Sequence, residues 1–111
     1  HECMNIGGDS QDVPSGGHLY AFSIEPNFSR GNHFHKIKEE WFMCLKGEVE
    51  ILLVDEETKK NSSFIMKGMD GKLFHIPALT RHTLINKGKE TAILISYGSI
   101  PFDSLNPDTY I

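Results

Sequence analysis

The sequence has few features of secreted or membrane proteins. Its 111 residues contain two cysteines, Cys3 and Cys44, too few for a fold built on disulfides. Cys44 lies in an apolar segment, and we interpret it as a small buried hydrophobic residue. No apolar run is long enough to cross a bilayer, and no cationic start precedes an apolar stretch as in a signal peptide. These absences favour a cytoplasmic protein without membrane contact.

An excess of basic residues is also absent. The chain has 11 lysines and arginines against 15 acidic residues, a net charge of −4, and its lysines are scattered over predicted turns. Nucleic-acid binding needs a concentrated positive surface, so this class of partner is excluded. The sequence also lacks a glycine-rich phosphate loop and a dinucleotide fingerprint. Any reductase activity would therefore need a separate chain or a further segment.

The sequence does contain a series of short segments typical of β-strands. Its length suits one compact domain, and no segment has sustained helical periodicity. We predict a flexible N-terminal arm over residues 1–17 and one domain over residues 18–111. The predicted strands are His18–Ile24, Gly31–His35, Glu40–Lys46, Glu48–Asp55, Ser63–Lys67, Lys72–Ile76, His82–Asn86 and Thr91–Tyr97. Short strands separated by regular turns favour a closed barrel or two packed sheets.

Three histidines and a glutamate have the spacing of metal ligands. On an extended strand, residues two apart face the same way, so His33 and His35 can present both imidazoles to one ion. Glu40 stands at an odd offset from His35, which requires a turn or bulge in residues 36–39 before Glu40 opens the next strand. His82 lies in a later stretch of alternating apolar and polar residues. We predict that these four residues form one metal site.

This ligand set suits several divalent ions. Zn²⁺ is the ion that we expect first, and Fe²⁺, Ni²⁺ and Mn²⁺ are also compatible, because availability usually decides among them more than affinity does. A His-x-His pair alone is common without a metal. The prediction therefore depends on the carboxylate, the third histidine and the framing glycines and proline occurring together.

The spacing of these residues resembles the two-part signature of the cupin superfamily. The matching residues are His33, His35, Glu40 and Gly47 in the first part, and Gly71, Pro77, His82 and Asn86 in the second. Eight of the ten fixed positions are met, and the exceptions are Asn27 and Leu79, which stand where the signature has glycine. The resemblance covers Arg30 to Asn86. It implies an all-β, single-domain jelly roll, or double-stranded β-helix barrel, with the metal inside.

Two segments are similar to a narrower family. Residues 30–36, RGNHFHK, and the tail from Phe102 to Tyr110 look like the C-terminal cupin domain of the bifunctional epimerase-reductases of capsular polysaccharide synthesis. That family acts on UDP-linked 4-keto-6-deoxy sugars. The resemblance implies C3 epimerisation of a UDP- or dTDP-sugar, a homodimer and a separate reductase. The tail after Ile100 is expected to close over the barrel mouth, anchored by Phe102 and Tyr110.

Epimerisation beside a ketone needs a base, an acid and a group that stabilises the enolate oxygen. Arg30 and Arg81 are candidate substrate-binding residues, because a guanidinium next to the histidines can bind phosphate bidentately. The candidate acid–base residues are His75, Tyr97, Lys36 and Glu39. His75 alternates with two apolar residues and can face the cavity, although strand alternation alone does not decide this.

Two other functions fit the same residues. Four ligands around iron leave positions for oxygen, so a dioxygenase or a small-acid isomerase is an alternative to the sugar enzyme. A non-catalytic binding module with a structural metal is a further alternative, since one fold serves many functions. The metal content of the purified protein is the first observation that separates them.

Overall fold

The computed structural model describes residues 16–101 and 103–111, and within these ranges the chain forms eight β-strands and no helix. The strands are β1 (His18–Ile24), β2 (Ser29–His33), β3 (Glu40–Lys46), β4 (Glu48–Asp55), β5 (Asn61–Lys67), β6 (Phe74–Ile76), β7 (Thr80–Ile85) and β8 (Ala92–Gly98). The predicted bounds of β1, β3 and β4 are confirmed. The described residues thus offer no helix that could span a bilayer. Most of the predicted N-terminal arm lies outside the described residues.

The strands form two four-stranded sheets. Sheet A has the order β1-β8-β3-β6 and sheet B the order β2-β7-β4-β5, and every pairing is antiparallel. Consecutive strands alternate between the sheets, except that β4 and β5 pair directly. The chain therefore winds around one interior. This arrangement confirms the predicted all-β, single-domain jelly roll.

The interior between the sheets is mostly apolar. Its buried cluster consists of Ile24, Phe42, Cys44, Val49, Ile51, Met66, Ile76, Leu84, Ala92 and Leu94. Along β8, Leu94 is buried and Ile93 is exposed, because successive side chains of a strand point to opposite faces. Cys44 is a free thiol in this cluster, as predicted, and burial raises the pKa of the thiol.

The second strand differs from its prediction. β2 covers Ser29–His33 and its pairing with β7 shifts register between Gly31 and His33. Asn32 has a φ of 60° at this point, and such a bulge adds one residue and bends the strand. The expectation that one strand carries both His33 and His35 is therefore wrong. His33 ends β2, and His35 follows after a single bridging residue.

Two turns have a non-glycine residue in the left-handed backbone conformation that glycine favours. Asn27 has a φ of 69° and Leu79 a φ of 62°, at the two positions where the cupin signature has glycine. This conformation costs an ordinary L-residue about 1–2 kcal/mol, and asparagine tolerates it better than leucine does. Leu79 is held in place because its N–H donates to the carbonyl of His35 at 2.6 Å and its carbonyl accepts from Glu56 at 2.9 Å. The departures from the signature therefore change the residue but keep the turn.

The C-terminal tail packs against the segment that follows β2. Phe34 and Tyr110 exchange two backbone hydrogen bonds of 3.0 Å, and their rings stack with centroids 5.5 Å apart. The carboxylate of Asp108 accepts hydrogen bonds from the backbone N–H groups of residues 36–38, which lie in the predicted turn before β3. Tyr110 anchors the tail as predicted, whereas Phe102 lies outside the described residues.

Candidate metal centre

Three histidines and one glutamate bring their ligand atoms together in the interior. One ligand atom from each of His33, His35, Glu40 and His82 lies within 4.8 Å of the others. His33 is half-buried, and the other three residues are 5%, 4% and 2% exposed, respectively. The structure therefore brings together all four residues that the sequence predicted as metal ligands.

The cluster joins the two sheets. Glu40 opens β3 in sheet A, and His82 lies in β7 of sheet B, where it pairs with His33. Residues two apart on a strand face the same side, and Phe42 and Leu84 are buried in the core. Glu40 and His82 consequently point into the same interior from opposite sheets.

Hydrogen bonds decide which ring nitrogens face the centre of the cluster. His35 Nδ1 lies 2.7 Å from the carbonyl oxygen of Asp108, and His82 Nδ1 lies 3.4 Å from that of Thr80. A carbonyl only accepts, so each of these hydrogen bonds requires that Nδ1 carry the hydrogen. The two Nε2 atoms face Oε1 of Glu40 at 3.0 and 3.2 Å. In neutral rings these Nε2 atoms carry lone pairs, so three electron-rich atoms converge and require a proton or a metal cation between them.

The electrostatics of the cluster favour metal-binding protonation states. Burial raises the pKa of Glu40, but the hydrogen bonds that His35 and His82 donate through Nε2 when their rings are protonated outweigh it and hold this pKa well below its usual range. Burial and the positive charges of His82 and His35 lower the pKa of His33 to about 4. At neutral pH Glu40 is an anion and His33 a neutral base, which are the forms that coordinate metals.

Two of the separations between donor atoms match those expected around a divalent ion. Two ligand atoms bound at about 2.1 Å are about 3.0 Å apart at a right angle and about 3.4 Å apart at the tetrahedral angle. The separations of 3.0 and 3.2 Å between the Nε2 atoms and Glu40 Oε1 lie in this range. Imidazole and carboxylate ligands suit zinc, iron, nickel and manganese, so the donor set does not select one of them.

Comparison with known protein families gives a match over most of the chain. Residues 10–110 match the family described as "Polysaccharide biosynthesis C-terminal domain". The chain belongs to this family. The matched region contains the four-residue cluster and the tail that packs beside His35, and it confirms the resemblance seen in the sequence.

Named relatives of this polysaccharide-biosynthesis domain are longer proteins. Over 95 residues the chain is 27% identical to UDP-2-acetamido-2,6-beta-L-arabino-hexul-4-ose reductase from Pseudomonas aeruginosa, covering 85% of this chain and 25% of the reductase. The structure of the capsular polysaccharide assembling protein CapF from Staphylococcus aureus is similar with a TM-score of 0.83 and 26% identity, over 88% of this chain and 27% of CapF. The chain spans about a quarter of the length of these proteins.

A dTDP-sugar isomerase from Desulfovibrio desulfuricans is also similar in structure. Its TM-score is 0.80 at 18% identity, and the match covers 92% of this chain and 68% of the isomerase. At this identity the likeness concerns the fold alone. Together with the similarity to CapF, it confirms the predicted cupin fold.

The two arginines predicted to bind substrate differ in their surroundings within the polysaccharide-biosynthesis domain. Arg30 lines a pocket with three of the four cluster residues, and its guanidinium lies 4.7 Å from the centre of the Phe22 ring. Arg81 instead donates through Nε to Glu56 at 3.2 Å and through a terminal nitrogen to the carbonyl of Asn32 at 3.0 Å. The structure places Arg30 beside the cluster and engages Arg81 in an ion pair away from it.

His75 does not face the cavity, contrary to the expectation from its place between apolar residues. It pairs with Trp41 in the register of β3 and β6, and the two rings stack with centroids 4.8 Å apart. Trp41 follows Glu40 in β3 and so faces the other side of the sheet. His75 Nε2 lies 2.6 Å from a carboxylate oxygen of Glu39. The pair of His75 and Glu39 is therefore on the outer face of sheet A.

Tyr97 and Lys36, the other predicted acid–base residues, are also directed away from the cluster. Tyr97 pairs with Trp41 in the register of β3 and β8 and shares its outward face, and its hydroxyl accepts the N–H of Gly17 at 2.8 Å. The ammonium of Lys36 lies 4.5 Å from the centre of the Tyr110 ring in the tail. Neither contact brings a titratable group to the predicted metal ligands.

Three residues that the sequence analysis did not select do reach the cluster. His18, Tyr20 and Lys38 line a pocket of about 290 Å³ together with three cluster residues. This volume is close to the lower end of the range of roughly 300–1,000 Å³ for ligand pockets. The alternation along β1 could have predicted two of them. His18 and Tyr20 lie on the same face of the strand as Phe22, which packs against the core.

Proposed function

We propose that this domain is an epimerase or isomerase of a nucleotide-linked 4-keto-deoxy sugar in polysaccharide biosynthesis. It would hold a divalent ion, with Zn²⁺ expected first, through His33, His35, Glu40 and His82. The family match supports the biosynthetic role, and the names of the Pseudomonas reductase and the Desulfovibrio isomerase support a nucleotide sugar. The observation that carries the proposal is that the cluster opens into two adjoining pockets, each of which has a basic side chain.

Epimerisation beside a ketone sets the tasks of this site. A base removes the proton next to the ketone, a positive group stabilises the enolate oxygen, and an acid returns a proton on the opposite face. The metal, when bound, would supply the positive group by polarising the ketone oxygen. The residues of the chain must then orient the sugar and move the proton.

Arg30 and Lys38 support the binding of an anionic substrate. The net charge of −4 disfavours a diphosphate at long range, so local cations must bind it. Arg30 is packed against Phe22 at one pocket, and Lys38 lines the other. A guanidinium matches two phosphate oxygens at once, so we assign the diphosphate to Arg30. We assign Arg81 a structural role, since Glu56 already engages it.

His18 and Tyr20 support the proton transfers. Both line the pocket that contains His33, His35 and Glu40, and their rings lie 5.6 Å apart. An imidazole exchanges protons near neutral pH, and a phenol can return a proton to an enolate. We assign the base to His18 and the acid to Tyr20, in place of the outward-facing residues of sheet A.

Exchange with solvent deuterium tests this proposal. The Zn²⁺-loaded protein is incubated with a UDP-linked 4-keto-6-deoxy sugar in D₂O, and NMR follows deuterium at C3. His82→Ala should lose both metal and exchange. His18→Gln should keep its metal and slow the exchange by about 10²-fold or more, because acid–base groups contribute about 10²–10⁴-fold. His75→Gln is the matched control and should change neither.

The contrary outcomes are distinct. An absence of deuterium from the substrate at every metal loading would count against sugar chemistry. Full metal retention by His82→Ala would contradict the ligand assignment. Iron in the purified protein, with oxygen uptake, would instead favour a dioxygenase, because iron with these ligands can bind oxygen.

We also propose that the domain forms a homodimer and works beside a reductase. The Pseudomonas relative is named a reductase, and the present chain spans 25% of it. Leu19 and Ile93 on the outer face of sheet A are 58% and 37% accessible, and we place the contact between the two copies on this face. Sedimentation equilibrium measures the mass directly, and a monomer at high micromolar concentration would contradict the homodimer.

A further inference from the structure

Asp108 contacts the segment between two cluster residues in two ways. Its carboxylate accepts the backbone N–H groups of residues 36, 37 and 38 at 2.9, 3.1 and 2.9 Å. Its main-chain carbonyl accepts the Nδ1 hydrogen of His35 at 2.7 Å. One residue of the tail is therefore hydrogen-bonded both to His35 and to the turn that leads to Glu40.

The surroundings of Asp108 hold it in this position. Its side chain is buried, and the three N–H groups satisfy a carboxylate that would otherwise be costly to bury. Its φ of 50° is one that aspartate and asparagine adopt more readily than most residues. Two residues later, the two backbone hydrogen bonds between Phe34 and Tyr110 fix the tail.

We propose that Asp108 is a positioning residue that sets the metal affinity of the cluster; this inference rests on the metal-binding part of the proposed function. The carboxylate of Asp108 fixes the turn, and with it the positions of His35 and Glu40 relative to each other. The carbonyl of Asp108 fixes the hydrogen of His35 on Nδ1. The tail thereby presents the Nε2 lone pair of His35 to the ion.

The second effect has a simple chemical basis. A neutral imidazole carries its hydrogen on one of two nitrogens. If the hydrogen of His35 were on Nε2, Oε1 of Glu40 at 3.0 Å would accept it, and the ligand atom would be blocked. The Asp108 carbonyl disfavours that competing state. Hydrogen-bond partners of metal-ligating histidines typically change metal affinity by about 10- to 100-fold, which is the effect that we expect here.

Zn²⁺ affinity, measured by competition with a chromophoric chelator, tests the proposal on the full chain. Asp108→Gly keeps the backbone conformation and the carbonyl but removes the carboxylate. Asp108→Asn replaces one carboxylate oxygen by an NH₂ group that cannot accept. We expect both variants to bind about 10- to 100-fold more weakly at a temperature where circular dichroism shows them folded. Asp103→Asn is the control in the same tail, where the Asp103 carboxylate accepts from the N–H of Leu105 at 2.9 Å, and the affinity of this variant should be unchanged.

A ¹⁵N NMR spectrum of the imidazoles gives a second readout that a general loss of stability does not mimic. In the metal-free wild-type protein, His35 should carry a hydrogen on Nδ1. Tyr110→Pro removes the N–H that donates to Phe34 and so loosens the tail, and it should shift the His35 hydrogen toward Nε2. Ile111→Gly is the control, because Ile111 is 95% exposed.

The outcomes separate this proposal from the one on which it rests. Wild-type protein that binds no Zn²⁺ overturns both. Wild-type protein that binds Zn²⁺, with unchanged affinity in both Asp108 variants, overturns the positioning role alone. A wild-type spectrum in which Nδ1 of His35 carries no hydrogen also overturns the positioning role, even if the variants fail to fold.

Discussion

Replacing Gly31 by alanine should lower the stability of the fold and weaken metal binding by the four-residue cluster. Gly31 has a φ of 100°, and a Cβ placed on it lies 2.7 Å from the carbonyl oxygen of His82 and 3.5 Å from the Cα atom of Thr83. Both neighbours are backbone atoms of β7, so no side-chain rotation can relieve the overlap. β2 and β7 must therefore separate at the point where His33 pairs with His82.

The expected magnitude has two parts. The positive φ alone costs a residue with a Cβ about 1–2 kcal/mol. Steric overlap in a packed interior adds typically about 1–3 kcal/mol. The sum of about 2–5 kcal/mol is smaller than the stability of most small domains, about 5–15 kcal/mol, so the variant should still fold under mild conditions. Its Zn²⁺ affinity should fall, because His33 and His82 no longer keep their separation.

Urea denaturation of the metal-free protein measures the stability change, and Gly16→Ala is the matched control. Gly16 has a φ of 81°, and a Cβ there meets nothing within 4 Å, so this variant isolates the backbone cost. If Gly31→Ala were no less stable than Gly16→Ala, the steric argument would be refuted. Unchanged Zn²⁺ affinity in Gly31→Ala would refute the link between this contact and the cluster.

Other predictions concern single residues near the site. At Leu79, whose φ is 62°, Leu79→Gly should be more stable to urea than Leu79→Ala by about 1 kcal/mol, because alanine keeps the left-handed strain. In the folded metal-free chain the pKa of His33 is lowered from 6.5 to about 4. On acidification the unfolded chain therefore binds a proton at this residue at a higher pH than the folded chain does. The free energy of unfolding of the metal-free protein should decline as the pH falls from about 6.5 to 4, and His33→Gln should weaken that decline. Arg30→Gln should raise the KM for the nucleotide sugar, whereas Arg81→Gln should leave KM unchanged and cost about 1 kcal/mol in thermal unfolding.

Contrary results would each remove one argument. Greater stability of alanine than of glycine at position 79 would mean that the turn relaxes out of the left-handed conformation. A stability that does not change between pH 6.5 and 4 would mean that His33 is not shielded as its burial indicates. An equal rise in KM for both arginine variants would mean that Arg81 also contacts the substrate.

The parts of the fold and site that the sequence predicted are those with local signals. β3 and β4 have strand-like apolar segments separated by a single glycine, Gly47, and their bounds were predicted correctly. Three of the four candidate ligands also have a local signal, because His33, His35 and Glu40 lie within eight residues of each other, whereas His82 was predicted from the second group of spaced residues, with Gly71, Pro77 and Asn86. The bulge at Asn32 did not prevent this, since it changes the strand without separating the two histidines.

The errors concern relations between distant segments. The side that His75 faces depends on its register with Trp41, which lies in another strand, and alternation within β6 cannot supply that register. Asp108 has no local signal for its contact with residues 36–38, because the tail and the turn are more than 70 residues apart in most of these hydrogen bonds. Such non-local pairings are set by tertiary packing and stay hidden in a single sequence.

The contact between the tail and the turn also affects the order in which this site is assembled during synthesis of the chain. The residues joined by the Asp108 carboxylate are 70 to 72 positions apart. A chain emerging from the ribosome exposes His33, His35 and Glu40 early and His82 later, yet the turn between His35 and Glu40 lacks the hydrogen bonds to the Asp108 carboxylate until Asp108 has been synthesised. Contacts across such long separations form slowly, because a long loop must close before they stabilise the fold. If Asp108 has the positioning role proposed above, a nascent chain that already has all four candidate ligands would bind a metal ion more weakly than the finished chain.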